Sequence, residues 1–215
     1  MGRYETSSKT RQALIDAAGE LAAEQGIGAV TLRAIARRAG ENVGSIHYHF
    51  GSKDNLLEAV INAVVARWLE RPLAEIVKHA DLSTTAGQAR TIRRIVERDA
   101  QLLFDRSAPT WHSGVVYQVL QYANPLQERL RECLLGPELE QMVRLFQTLR
   151  PEIDEQEAQL HYFLMLAPLL FHVDYKNALL RKQQRDDYSD AYIELLTALC
   201  IRQALLLLNL PLAES

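Results

Sequence analysis

The sequence predicts an all-α protein, with a small three-helix domain over residues 1–52 followed by a larger helical domain over residues 53–215. Three observations predict it. Apolar residues recur at spacings of three and four along nearly the whole chain, no segment alternates for long with β-branched residues, and residues 31–53 read as two short helices joined by a glycine turn. With 215 residues, 48% of them hydrophobic, the chain is long enough to bury a substantial core.

Taken in order, the first helix spans about Ser8 to Gln25, with Ala13, Leu14, Ala17, Leu21 and Ala22 facing inward and Gly26 at its end. Thr31 supplies a hydroxyl cap for the second helix, where Leu32, Ile35, Ala36 and Ala39 form one buried stripe. Gly40 stops it by taking a left-handed conformation, and Asn42 caps the third helix with its side-chain oxygen. Val43, Ile46 and Phe50 face inward there. Ser45, His47, Tyr48 and His49 are left as a polar and aromatic surface on a short rod that fits a DNA major groove.

Ser52 caps a longer helix that reaches at least Arg71 before Pro72 bends or ends it. Ser83, Thr84 and Thr85 begin a helix to about Phe104, and Pro109 marks a loop. Helices are predicted over 113–123, 126–135 and 138–149, the last two separated by Gly136 and Pro137. Two long segments, 154–181 and 187–209, close the chain, the first with Pro168 as a mid-helix bend. The last carries Leu195, Leu196, Leu199, Leu205, Leu206, Leu207 and Leu208 around too wide an arc for one neighbour, so a second partner is expected for it.

The formal net charge is -3, with seven basic and seven acidic residues in positions 1–66, so the acidic excess lies further on. Arg3, Lys9, Arg11, Arg33, Arg37, Arg38 and Lys53 flank the two short helices and give them a locally positive face, which would bind DNA in a salt-dependent way. Cys133 and Cys200, 67 residues apart without a CxxC pairing, read as free buried thiols. No apolar run approaches the roughly 20 residues that span a bilayer, and the polar N-terminus lacks a signal-peptide core. No membrane partner and a cytoplasmic location are therefore expected. Catalysis finds no support: HExxH, GxSxG and phosphate-cradling glycine loops are absent, and His47 and His49, two apart on a helix, point to different sides. No enzyme activity, cofactor or metal is expected.

Residues 13–60 resemble the N-terminal domain of the TetR family of bacterial transcription regulators. The resemblance rests on Ala17, Ala18, Gly26, Thr31, Ile35, Ala36, Ala39, Gly40, Gly44, Ile46, Tyr48, Phe50, Lys53 and Leu56. Two features depart from it: Glu41 and Asn42 stand where most of the family has Val-Ser, and His47 where it often has Tyr. The runs YHFGSK and VVYQVLQYANPLQERL are similar to the subset with a CecR-like C-terminal half. The resemblance implies a homodimer through the last two helices, a palindromic double-stranded operator, and a small-molecule effector that releases a repressor from it.

Placed on that scheme, Ser45, His47 and Tyr48 reach base edges or adjacent phosphates. Lys9, Thr31, Arg33, His49 and Lys53 hold the backbone, and Asn42 and Gly44 belong to the same DNA-binding element. Residues after about 72 are expected to form the effector pocket, with Phe104, Trp111, Tyr117, Tyr122, Phe146, His161, Tyr162, Met165 and His172 as candidate lining, along with Trp68 and Tyr175. Two rival readings are a helical protein-binding scaffold, which leaves the pattern at 31–53 unexplained, and a DNA-binding regulator without an inducer.

Overall fold

The computed structural model describes residues 2–121 and 125–212. Among them every regular element is helical: α1 (Gly2–Gln25), α2 (Leu32–Ala39), α3 (Val43–Phe50), α4 (Lys53–Leu69), α5 (Leu73–Lys78), α6 (Thr85–Phe104), α7 (Trp111–Gln121), α8 (Pro125–Leu130), α9 (Gly136–Leu149), α10 (Glu155–Asp174), α11 (Lys176–Gln183) and α12 (Asp190–Leu207). A short 3-10 turn, Ile27–Ala29, follows α1, and a π-helical stretch, Arg131–Leu135, leads into α9.

These residues form two compact units, one of Met1–Arg67 with Arg106–Cys133, the other of Trp68–Asp105 with Leu134–Ser215. Within the first unit α7 packs on α1. In the first unit Leu14, Ala18, Ile35, Ile46, Leu56 and Val115 are fully buried. Small side chains on α1 let α7 approach closely: the Trp111 ring lies over Gly19, where a Cβ would stand 2.3 Å from its Cδ2. In the second unit α6, α9, α10 and α12 enclose Ile92, Ile95, Met142, Phe146, Leu169 and Leu205, each such burial contributing about 1.5–3 kcal/mol.

The predicted caps at Thr31, Asn42, Ser52 and Thr84 all bond the amide three residues on, at 3.0–3.2 Å. Four expectations need correction. The long segment 154–181 divides at Tyr175, which ends α10 and begins α11. Gly136 and Pro137 make no loop: they are the first residues of α9, where a proline needs no amide donor, and the π-helical stretch runs straight into them. Pro72 is followed by a further short helix, α5. Cys133 is exposed, while Cys200 is buried.

Pro168 does lie inside α10. Without an amide hydrogen it leaves the carbonyl of Leu164 without its usual donor, and Gln203 Nε2 of α12 donates to that oxygen at 3.1 Å. On the same turn His172 Nδ1 donates to the Pro168 carbonyl at 2.7 Å, and Tyr192 Oη lies 3.1 Å from Nε2.

The body of the second unit carries a buried ionic cluster. Arg98 donates to Asp99 Oδ1 at 2.8 Å, to both oxygens of Glu138, and through Nε to the Arg71 carbonyl, while Trp68 Nε1 donates to Glu138 Oε1 at 3.0 Å. One guanidinium faces two carboxylates. Burial, with Glu138 nearby, pushes the Asp99 carboxyl up to about 7 against the pull of Arg98. The neighbouring Tyr162 phenol is held well above its ordinary value, again chiefly by burial.

Candidate nucleic-acid interface and effector groove

Eight residues are too few for a helix to persist alone, so α2 and α3 depend on their ends and on burial. Gly40, at φ 68°, takes the left-handed position; its amide bonds the Arg37 carbonyl, and the Glu41 amide reaches back to Ala36 at 2.9 Å. Ile46 and Phe50 are buried beneath α3, and the Arg11 guanidinium lies 5.2 Å from the Phe50 ring centroid.

Glu41, one of the two departures after the turn, accepts from Thr10 Oγ1 of α1 at 2.9 Å and from Ser45 Oγ at 2.9 Å. Its carboxylate thereby ties α1 to α3. Ser45 is half-buried and already engaged in that bond. His47 is exposed, with Nδ1 3.0 Å from the Gly51 carbonyl; a carbonyl only accepts, so Nδ1 carries the proton and Nε2 is the ring nitrogen left for a partner.

Tyr48 is 82% exposed, the most open large apolar side chain among the described residues, with its ring edge against His49 at 5.0 Å. Gly44 is exposed on the first turn of α3; Lys9, Arg33 and Arg37 are exposed as well. Two cations flanking this face are committed elsewhere. Lys53 Nζ donates to the Val30 carbonyl at 2.7 Å, and Arg38 pairs with Glu20 and Glu24, which raises its already high pKa. Asn42 and Thr31 serve as caps, each with its side-chain oxygen turned to the helix it begins.

The candidate effector residues are distributed over both units. Trp111 is buried in the first unit against α1, Tyr122 lies outside the described residues, and of Tyr117 only its place in α7 is described. Phe146, Tyr162, Met165 and Trp68 are core of the second unit. His161 is half-buried beside the Phe146 ring at 6.1 Å, its Nε2 3.7 Å from Glu157. His172 is held by the bonds to Pro168 and Tyr192, and Tyr175 is exposed.

Phe104 borders an open space. That space is a groove of about 630 Å³ between α6 and α12, bounded by Ala100, Gln101 and Phe104 on one side and Ile193, Thr197 and Ile201 on the other. Its size is that of a small-molecule site. Sequence reasoning missed it because its walls are mostly charged and small residues, which on a helix read as a solvated face. Among the described residues no group of three His, Cys, Asp or Glu side chains is placed to hold a metal, and no helix is long and apolar enough to cross a membrane.

Residues 14–60 match the family described as bacterial regulatory proteins, tetR family. The HTH-type transcriptional regulator SrpR of Pseudomonas putida is 44% identical over 55 residues, covering 26% of this chain and 26% of SrpR. BetI of Yersinia pestis (strain Pestoides F), also an HTH-type transcriptional regulator, is 34% identical over 126 residues, covering 53% of this chain and 61% of BetI. The chain thus spans less than two thirds of either relative. A crystal structure of a transcriptional regulator from Rhodococcus sp. Rha1 shares the fold, with a TM-score of 0.61 and 22% identity over 91% of this chain and 96% of that one. The family match falls on the segment whose caps, glycine turn and outward α3 face are described above, and residues 14–60 belong to the tetR family of bacterial regulatory proteins.

Proposed function

We propose that the protein is a homodimeric transcriptional regulator, a repressor that leaves a palindromic operator when a small molecule binds. Residues 1–52 are the reading head and residues 53–215 the effector-binding and dimerisation part, working in the cytoplasm. The observation that carries the reading is the outward face of α3, where Tyr48, His47 and His49 stand on a short helix fixed at both ends. Ser45, His47 and Tyr48 would meet base edges or adjacent phosphates, and Lys9, Thr31, Arg33, His49 and Lys53 the backbone. The capping by Asn42 and Thr31, and the bond from Lys53 to Val30, assign those residues first to shaping the head.

Dimerisation rests on α10 and α12. Leu160, Phe163 and Leu164 of α10 and Leu195, Leu199 and Leu206 of α12 are all exposed, which is more apolar surface than a monomer usually leaves in water. Paired with the same helices of a second copy they would form a four-helix bundle, setting two reading heads on half-sites about one helical turn, roughly 34–36 Å, apart. The effector would change that spacing through α4, the helix by which the chain passes from one unit to the other.

The test is fluorescence anisotropy of the purified protein on the DNA upstream of its own gene, at two salt concentrations and against random competitor, with sedimentation to give the assembly. Saturable, salt-sensitive binding by a dimer that survives the competitor is expected. A monomer at micromolar concentration, or no preference over random DNA, would turn the reading toward a helical scaffold.

A further inference from the structure

The groove between α6 and α12 continues into a narrower space of about 330 Å³, the two sharing Arg71, Glu97 and Gln101. The helices run past each other in opposite directions: Arg93 of α6 donates to the carbonyl of Leu212 beyond the end of α12, and the Phe104 ring meets Tyr188 just before its start. The lining can therefore be read lengthwise.

At the narrow end stand Arg71, Arg94 and Arg98. The Arg98 charge is met by Asp99 and Glu138. Arg94 has no hydrogen-bond or ion-pair partner among the described residues, and the Arg71 guanidinium donates to the neutral amide of Gln101. Glu97 is the one carboxylate in this part of the lining, and it forms an ion pair with neither arginine. Ala100, Ala198 and Ile201 make an apolar middle. At the other end, beyond Phe104, lie Asp105 and Glu194. Asp105, the residue after α6, stands eleven positions beyond Arg94, about 16 Å at the helical rise.

We infer that this groove is the effector site and that it takes an amphipathic carboxylate. The head sits between the guanidinium groups of Arg71 and Arg94, which offer fork-shaped donors to an acid. The body lies along Ala100, Ala198 and Ile201 toward Phe104. The acidic far end repels the head and so fixes the direction of entry. Asp105 is already engaged within the protein, which leaves Glu194 a single carboxylate there against two convergent arginines. The effector role rests on the regulator reading above; binding in the groove does not.

Calorimetry with dodecanoate, dodecanol and dodecyltrimethylammonium, each below its micelle threshold, tests the charge and the chain separately. Dodecanoate should bind at least about tenfold more tightly than the other two. Arg71→Gln and Arg94→Gln should each weaken it about tenfold while leaving dodecanol unchanged, the size expected for one charged hydrogen-bonding partner. Ile201→Trp, which fills the groove, should weaken all three. Both arginines are exposed, and melting followed by circular dichroism checks that every variant is folded.

Tighter binding of the cation, no binding at all, or dodecanoate affinity indifferent to both arginine variants would overturn the inference. The same protein on its upstream DNA separates the two readings. Specific DNA binding that dodecanoate does not release would remove the groove as effector site and leave the regulator standing. Loss of specific DNA binding without any ligand would overturn the regulator reading, while the calorimetric result for the groove would hold.

Discussion

The unit carrying α1 to α3 and the unit carrying α6, α9, α10 and α12 treat charge in opposite ways. The first keeps its charges at the surface and packs its interior with alanine, leucine, isoleucine and one tryptophan laid on a glycine. The second buries an arginine and two carboxylates at its centre. A head that meets a polyanion needs its cations outside, where dehydrating them costs little. A body that binds no polymer can lock helices together with ions, provided each is matched. The difference teaches that the head should fail by losing shape and the body by losing charge balance.

Arg98→Ala is the sharpest way to break the comparison. It leaves Asp99 and Glu138 buried without their cation, and a loss of about 3–5 kcal/mol in urea unfolding is expected; a loss under about 1 kcal/mol would mean that the cluster is not what holds the body. Gly19→Ala is its counterpart in the head, since the new methyl runs into the Trp111 ring. A cost of about 1–3 kcal/mol is expected, measured the same way. Removing the Tyr48 ring should leave the melting midpoint where it is and weaken operator binding by about 1 kcal/mol or more. Equal loss of stability and binding would show that Tyr48 shapes the head instead of reading DNA.

Asn42→Ala removes a cap from a helix that is short to begin with and should cost about 1 kcal/mol of stability. A further way to sharpen the comparison is pH. The Asp99 carboxyl keeps its proton in the fold up to about 7, whereas the unfolded chain releases it near 3.8. Between those values the unfolded state binds fewer protons, so the contribution of Asp99 to stability is fullest at low pH and is lost as pH rises through about 7. Melting of Asp99→Asn beside the parent chain at about pH 5 and about pH 8 should show the variant gaining relative stability at the higher value. A difference independent of pH would mean that Asp99 does not titrate in this window.

Much of this could be read from residue types alone, and the reason is local. The caps at Thr31, Asn42, Ser52 and Thr84, the stop at Gly40 and the outward side of α3 each depend on a few neighbouring residues. The break at Tyr175 carries no proline or glycine to announce it, and α5 is only six residues long. What the groove needed was harder still. Its walls come from helices about ninety residues apart in sequence, and its charged members are ordinary surface residues until the fold sets them around one space. Of the aromatic side chains that composition offers as lining, Phe146, Tyr162 and Trp111 are buried.

The amide that Gln203 lends to the Leu164 carbonyl acts as a dowel. It pins α12 to α10 at the one level where the latter has lost its own bond, so sliding one helix along the other would strand that oxygen without a donor. The outward leucines of both helices therefore hold a common register and travel as one plate. A second copy docking there would meet a rigid template, and any rearrangement that begins on the α6 side of α12 would arrive at that plate as a tilt of the pair, not as slippage between its members.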